Sequence, residues 1–288
     1  MILERLTPLS KIMRSPWEMS YIGFIYSSLA ILLIKLIFSK DFVLNQYRGL
    51  LITLLTLIFC MPFMYRIIRQ EEGKDLEINE EGKLIKEHAQ ALKALMWLFL
   101  GLTLGFSFWY LILPQEAPEN FDAQIKTFCT INSPNNYENC LKQYGVSTGS
   151  VTITAYASSI EHLMGILVNN LSVMIFTLIF SLFFGAGAIF ILIWNSTVIA
   201  TAIGMFSQDL SKIHSGLIRY LIHGLPEISA YFVAALAGGI VSVAFVRRDL
   251  RGERLWIILQ DALILVIVAV LILIVSAFME VYLTPSLI

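Results

Sequence analysis

Apolar runs long enough to cross a bilayer follow one another along most of this 288-residue chain, and that limits its fold more than any motif does. A helix needs about 20 mostly apolar residues to span the hydrocarbon core. Such runs occupy residues 19–38, 49–65, 92–113, 226–246 and 255–279, the last with Asp261 near its start. Residues 162–206 are long enough for two crossings. Gly185, Ala186 and Gly187 mark the break, because glycine reaches the positive φ of a tight turn. The competing reading is one long helix, since glycine is common inside membrane helices. Charge decides between them. With seven spans and the N-terminus inside, the inner segments carry 13 basic residues and the outer ones six. Joining the two central spans would move Arg247, Arg248, Arg251 and Arg254 outside, against the positive-inside bias. Lys35 lies within the first span, near enough to its outer end to snorkel.

Composition excludes the alternatives to a membrane protein. Hydrophobic residues make up 57 % of the chain and charged residues 14 %, against about 25 % charged in soluble domains. A mean hydropathy of +0.76 rules out a water-soluble globule, a disordered chain and a disulfide-rich mini-protein. The net charge of −1 supplies no field for nucleic acid. Trp17, Tyr65, Trp97 and Trp256 are expected near the inner interface, and Tyr47, Trp109, Tyr110 and Tyr282 near the outer one. The N-terminal run lacks a small-residue cleavage site, so the first span is expected to remain as an anchor.

The expected fold is therefore an all-α polytopic bundle of seven spans, cytoplasmic at its N-terminus, in the cell membrane. It divides into an N-terminal membrane region (1–113) with a charged inner loop (66–93), an outer segment (114–161) and a C-terminal membrane domain (162–288). The inner loop carries the run Arg69 to Asp75, and its second half reads as a helix leading into the third span. It is a solvated surface or a docking site for a cytoplasmic partner. In the outer segment, Pro114, Pro118, Pro134, Asn132, Asn135, Asn136 and Asn139 point to turns. Cys129 and Cys140 lie there, and an oxidising exterior would allow them to pair. Cys60, within the second span, reads as a buried thiol. This segment is too short for a catalytic domain and reads as a cap or contact surface. Residues 208–222 and 1–14 carry apolar residues at helical spacing and read as interfacial helices.

Ionisable and amide groups within spans are costly and are therefore the functional candidates. His223 and Glu227 are four apart, on one helix face. Pro226 fits the first turn of a sixth span, and the helix macrodipole would favour Glu227 there. Below them Ala230, Ala234, Gly238 and Ser242 form a small-residue stripe of the kind that lets helices approach closely. Asn169 and Asn170 open the fourth span, Asn195 lies deep in the fifth, and Glu280 ends the seventh. His223, Glu227, Asn169, Asn170 and Glu280 are expected at one depth beneath the outer leaflet. Three uses fit them. They tie the bundle together, they line a site for a lipid headgroup, a solute or a partner segment, or His223, Glu227 and Glu280 hold a metal for hydrolysis. His162 could join them, while His88 and His214 read as surface residues.

Residues 162–288 resemble the membrane domain of the stage II sporulation protein M family. The shared features are Asn169-Asn170 before an apolar span, Gly185 to Gly187 before a span with Asn195, His223 to Glu227 leading into Ala234 to Gly239, and Ala277-Phe278-Met279-Glu280 followed by Thr284-Pro285. The resemblance implies an integral membrane protein without catalytic activity of its own. In endospore formers the namesake anchors and organises proteins that remodel peptidoglycan during engulfment. The function expected is a non-enzymatic scaffold or complex subunit in envelope or division-related remodelling. A transporter or permease-like subunit is the alternative, and an intramembrane metallohydrolase the third. No cofactor is expected. The expected partners are membrane lipid and other membrane or envelope proteins, with no nucleic acid, and a homo-oligomer is open.

Overall fold

The computed structural model describes residues 15–38, 41–75, 84–133, 136–146, 159–184, 188–207, 210–246 and 253–284. The amphipathic segment 1–14, the break at 185–187, Pro134 and Asn135 in the outer segment, and Arg247, Arg248 and Arg251 lie outside the described residues, as do the side chains of Tyr65 and His88. Within the described residues the chain is helical, in the order α1 (Glu18–Phe38), α2 (Phe42–Asn45), α3 (Arg48–Asp75), α4 (Leu84–Ile112), α5 (Ala117–Asn120), α6 (Asp122–Asn132), α7 (Tyr137–Gln143), α8 (Ser159–Phe184), α9 (Ala188–Ser207), α10 (Ile213–Val246) and α11 (Glu253–Phe278), which ends in a π-helical turn, Met279–Leu283.

Six of these helices are long and apolar enough to cross a bilayer, and the apolar part of α3, Arg48–Phe63, is shorter. Large apolar side chains such as Leu263, Ile267, Leu271 and Val275 stand exposed along α11, as a lipid-facing helix requires. Trp17 and Trp256 are exposed near one end of the bundle, and Tyr47 and Tyr282 near the other, forming two aromatic girdles.

Close contacts fix the direction of every long helix. Gly23, Gly101 and Gly105 bring α1 and α4 together in parallel: a Cβ at Gly101 would fall on the Ser20 carbonyl, and one at Gly23 would lie 2.5 Å from the Leu98 oxygen. Lys35, near the end of α1, binds Glu116, and Arg48, at the start of α3, binds Glu119, three residues on, so α3 runs antiparallel to α1; Tyr26 meets Phe59 with ring centroids 5.8 Å apart. Ser107 donates to the Ala200 carbonyl at 3.3 Å and Tyr110 packs on Gly204, so α9 runs parallel to α4. Gly216 sits beside Ile203 and Gly224 beside Ile199, which makes α10 antiparallel to α9. Ser181, near the end of α8, donates to the Ala235 carbonyl at 2.5 Å and lies against Gly238, in the last third of α10, so the two helices end on the same side and run parallel. Ser276, near the end of α11, donates to the His223 carbonyl at 2.7 Å and returns α11 antiparallel to α10. The seven long helices thus alternate in direction, and the start of α1 and the end of α11 lie at opposite ends of the bundle.

The structure corrects the sequence reading at 208–226. A short 3₁₀ turn, Leu210–Lys212, leads into α10, which continues unbroken from Ile213 to Val246. The apolar spacing read there as a separate interfacial helix is the first turns of this helix. Pro226 is interior, not in a first turn, so the macrodipole does not account for Glu227. Proline removes one intrahelical hydrogen bond. The carbonyl it frees is that of Ile222, and the Ser276 hydroxyl of α11 donates to the next carbonyl along, that of His223.

The outer segment also differs from the expected run of turns. Pro114, Pro118, Asn132, Asn136 and Asn139 sit in and around three short helices, with Pro118 at the start of α5, where a missing N–H costs little. Residues 113–146 form a cap over one end of the bundle. Lys35 binds Glu116 at 2.7 Å. Arg48, 4 % exposed, binds Glu119 at 3.0 Å, the Asn120 side chain at 3.2 Å and Asn45. Gln124 of α6 is fully buried and reaches Gly49, Thr53 and Thr197 at 3.2–3.4 Å. The cap therefore sinks between α3 and α9 and does not merely rest on them. A disulfide joins Cys129 to Cys140, tying α6 to α7, and Cys60 is a buried free thiol. Burial under the cap pushes the Tyr144 phenol above its ordinary range.

Candidate functional site

Two helix–helix contacts determine where the polar residues of the C-terminal spans meet. The stripe of Ala230, Ala234 and Gly238 is buried, and at Gly238 the α8 backbone comes within contact distance. Only small residues permit such an approach. The same approach brings Asn170 of α8 beside the Glu227 carboxylate. On the other flank, α11 and its π-helical turn bring Ser276, Glu280 and Thr284 against the upper part of α10.

The resulting cluster contains four residues marked in the sequence. His223 is buried, and its Nδ1 lies 3.1 Å from the Thr284 hydroxyl. Glu227 accepts a hydrogen bond from the Tyr231 hydroxyl at 2.7 Å, one turn further along α10. Glu280 lies close enough to Glu227 for the two carboxylates to repel each other when both are ionised. Asn170 is 4 % exposed, and its Nδ2, although beside Glu227, makes no hydrogen bond of good geometry. Its Oδ1 accepts from Asn169 Nδ2 at 3.2 Å. Asn169 itself is exposed on the outer face of α8, among the exposed apolar side chains Ile160, Met164 and Val168. Glu227 and Glu280 are both partly exposed.

Other marked residues lie apart from it. Asn195 donates to the Ile191 carbonyl of its own helix at 2.8 Å. Ser242 is partly buried, one turn beyond the buried part of the stripe. His214 is exposed and bonds within its own turn, to Ser211 and Ser215. Sequence reasoning missed Tyr231, Ser276 and Thr284, whose hydroxyls vanish within apolar runs. Tyr231 was findable, because it stands four residues beyond Glu227 on the same face.

The chemistry available here is narrow. His223 offers one nitrogen to Thr284, and one Glu227 oxygen is held by a phenol. Among the described residues, no group of three or more His, Cys, Asp or Glu side chains is placed to hold a metal ion. The hydroxyl that meets an imidazole in the cluster is that of Thr284, which itself donates to the Met279 carbonyl at 3.1 Å. What remains is a pair of carboxylates and one buried amide among three helices, an arrangement suited to holding a polar or cationic group.

Comparison with known proteins agrees with the architecture. The model of the family described as Stage II sporulation protein M matches residues 94–285, which takes in α4 and the cap as well as the four C-terminal spans. An uncharacterized protein of Methanocaldococcus jannaschii is 33 % identical over 126 residues, covering 42 % of this chain and 70 % of that protein. No solved structure matches this chain.

Proposed function

We propose, from the premise that this chain belongs to the stage II sporulation protein M family, that it acts as a non-enzymatic scaffold or complex subunit in the membrane, serving remodelling of the envelope or division. The observation that carries this reading is the junction of α8, α10 and α11. Beneath Glu227 the helices are packed through Ala230, Ala234 and Gly238, with Ala230 and Ala234 fully buried. Below Glu227, α10 carries no acidic, basic or histidine side chain. Such a layer favours a rigid platform over a permeation path, and so favours the scaffold over the permease-like alternative. Exposed Asn169, on an otherwise apolar face of α8, supplies a polar handle for a neighbouring helix.

In the orientation proposed here the N-terminus is cytoplasmic, and the cap, the polar cluster and the C-terminus face the exterior. The excess of basic residues on the opposite side supports it, and so does a disulfide in the cap, which an oxidising compartment would sustain. The test of function is chemical cross-linking in native membranes followed by purification of the full chain. A scaffold retains the same membrane or envelope proteins in stoichiometric amounts, and retains them after Cys60→Ser. Recovery of the chain alone, with solute flux in reconstituted vesicles, would replace this reading by transport.

A further inference from the structure

We infer that the cavity between α2, the start of α3 and the cap holds the headgroup of a phospholipid from the cap-side leaflet. The headgroup carries a phosphodiester and a primary ammonium, and an acyl chain lies along α3. This site stands apart from the α8–α10–α11 junction and does not depend on the scaffold reading.

The cavity has a volume of about 680 Å³, within the range of small-ligand sites. Gln46, Tyr47 and Leu50 line it on one side, and Glu119, Asp122 and Lys126 of the cap on the other. Its wall also includes the turn that closes α7, where Gly145 takes a φ of +71° that a side chain would strain. Val146, next to it, donates back to the Leu141 carbonyl at 3.0 Å. These walls are held in place by bonds the ligand need not make. The disulfide ties α6 to α7, and Arg48 ties the start of α3 to Glu119 at 3.0 Å. A preorganised site loses less affinity to ordering.

Charge selects the headgroup. With Arg48 counted, two cations stand against two carboxylates, so a neutral zwitterion fits and an anionic headgroup leaves an excess charge. Glu119 gives one oxygen, Oε2, to both Arg48 and Asn45, and Asp122 gives Oδ2 to Lys126. Among the described residues, Glu119 Oε1 and Asp122 Oδ1 accept no hydrogen bond. A primary ammonium has three N–H donors for such acceptors. A quaternary ammonium has none and is held by aromatic cages, whereas Tyr47 is the one aromatic side chain among the described residues that line this cavity. The Asp122–Lys126 pair joins successive turns of one helix and is partly in water, and such pairs are weak. An ammonium at Asp122 therefore frees Lys126 for the phosphodiester.

Depth selects a lipid over a water-soluble amine. The apolar part of α3 begins at Arg48, so the cavity sits where headgroups meet hydrocarbon. Leu50 belongs both to the cavity and to an exposed apolar stripe that continues through Leu54, Ile58 and Met61 on one face of α3. A charged cavity opening onto an apolar track has the form of a lipid.

The test uses the full chain in phosphatidylcholine nanodiscs that contain a trace of phosphatidylethanolamine with a photoactivatable acyl chain. Cross-linked peptides are mapped by mass spectrometry. Label on residues 50–61 should exceed that on the exposed side chains of α11, an ordinary lipid-facing surface, by about tenfold. Unlabelled phosphatidylethanolamine should remove the excess, and phosphatidylglycerol and soluble phosphoethanolamine should not. Ala123→Leu, which fills the cavity from α6, and Asp122→Asn should each bring the label on α3 down to the α11 level. Equal labelling of α3 and α11 in the unaltered chain overturns the inference without any variant. Displacement by phosphatidylglycerol as effective as that by phosphatidylethanolamine also overturns it, as does an excess that survives Ala123→Leu. Displacement by soluble phosphoethanolamine would give the cavity to a water-soluble solute and overturn the lipid assignment.

Discussion

The cap and the α8–α10–α11 junction use the same residue types to opposite ends. In the cap three carboxylates each have a cation of their own. Glu116 meets Lys35 at 2.7 Å, Glu119 meets Arg48 at 3.0 Å, and Asp122 meets Lys126 at 2.8 Å. A disulfide and a three-partner glutamine complete a closed network. At the junction, Glu227 and Glu280 have hydroxyl and amide neighbours and each other, but among the described residues no cation. Satisfied charges hold a structure together. Unsatisfied ones at membrane depth are kept only where something else meets them. The contrast separates the part of the molecule that maintains its shape from the part proposed to meet a partner.

Substitutions should divide along that line. The largest loss is expected from Cys129→Ser/Cys140→Ser. Releasing the staple should cost about 3 kcal/mol by chain entropy, visible as a lowered midpoint of thermal unfolding in detergent. If the midpoint does not move, the cap is held by its other contacts. Arg48→Met comes next, at about 2 kcal/mol, because it removes hydrogen bonds made by a buried guanidinium while Glu119 stays half in water. Tyr231→Phe should cost about 1 kcal/mol through loss of the bond to Glu227, provided the fold is otherwise unchanged. The smallest effect, and the one of opposite sign, belongs to Glu280→Gln. Removing a charge that faces another carboxylate and no cation should leave the isolated chain unchanged, or stabilise it by up to about 1 kcal/mol. A destabilisation by Glu280→Gln as large as that of Arg48→Met would erase the distinction between the two regions.

Hydropathy made the bundle legible because each span is a long, locally encoded object. The apolar runs read in the sequence correspond to α1, α3, α4, α8, α9, α10 and α11. Helix continuity through Pro226 was not legible. A proline after His223 and Gly224 reads as a helix start, yet α10 runs through it with α11 packed alongside. The cap was legible as a soluble segment but not as helices, since proline and asparagine serve helix ends as well as turns. In the junction, the spacing of His223 and Glu227 placed them on one face, whereas Thr284 and Ser276 reach His223 from 61 and 53 residues away. Pairings at such separation leave no local trace. The cations of the cap network show the same limit. Lys35 read as a residue snorkelling into water, yet it finds Glu116, 81 residues on, to bind.

The account rests on alternate threading of the seven long helices, with the cap end outside. Cysteine accessibility tests it directly. Gln46→Cys, exposed beside the cap, and Asp249→Cys, between α10 and α11, are each treated with a membrane-impermeant maleimide on intact cells and after lysis. The account predicts labelling at position 46 in intact cells and at position 249 only after lysis. Labelling of both, or of position 249 alone, before lysis would contradict it.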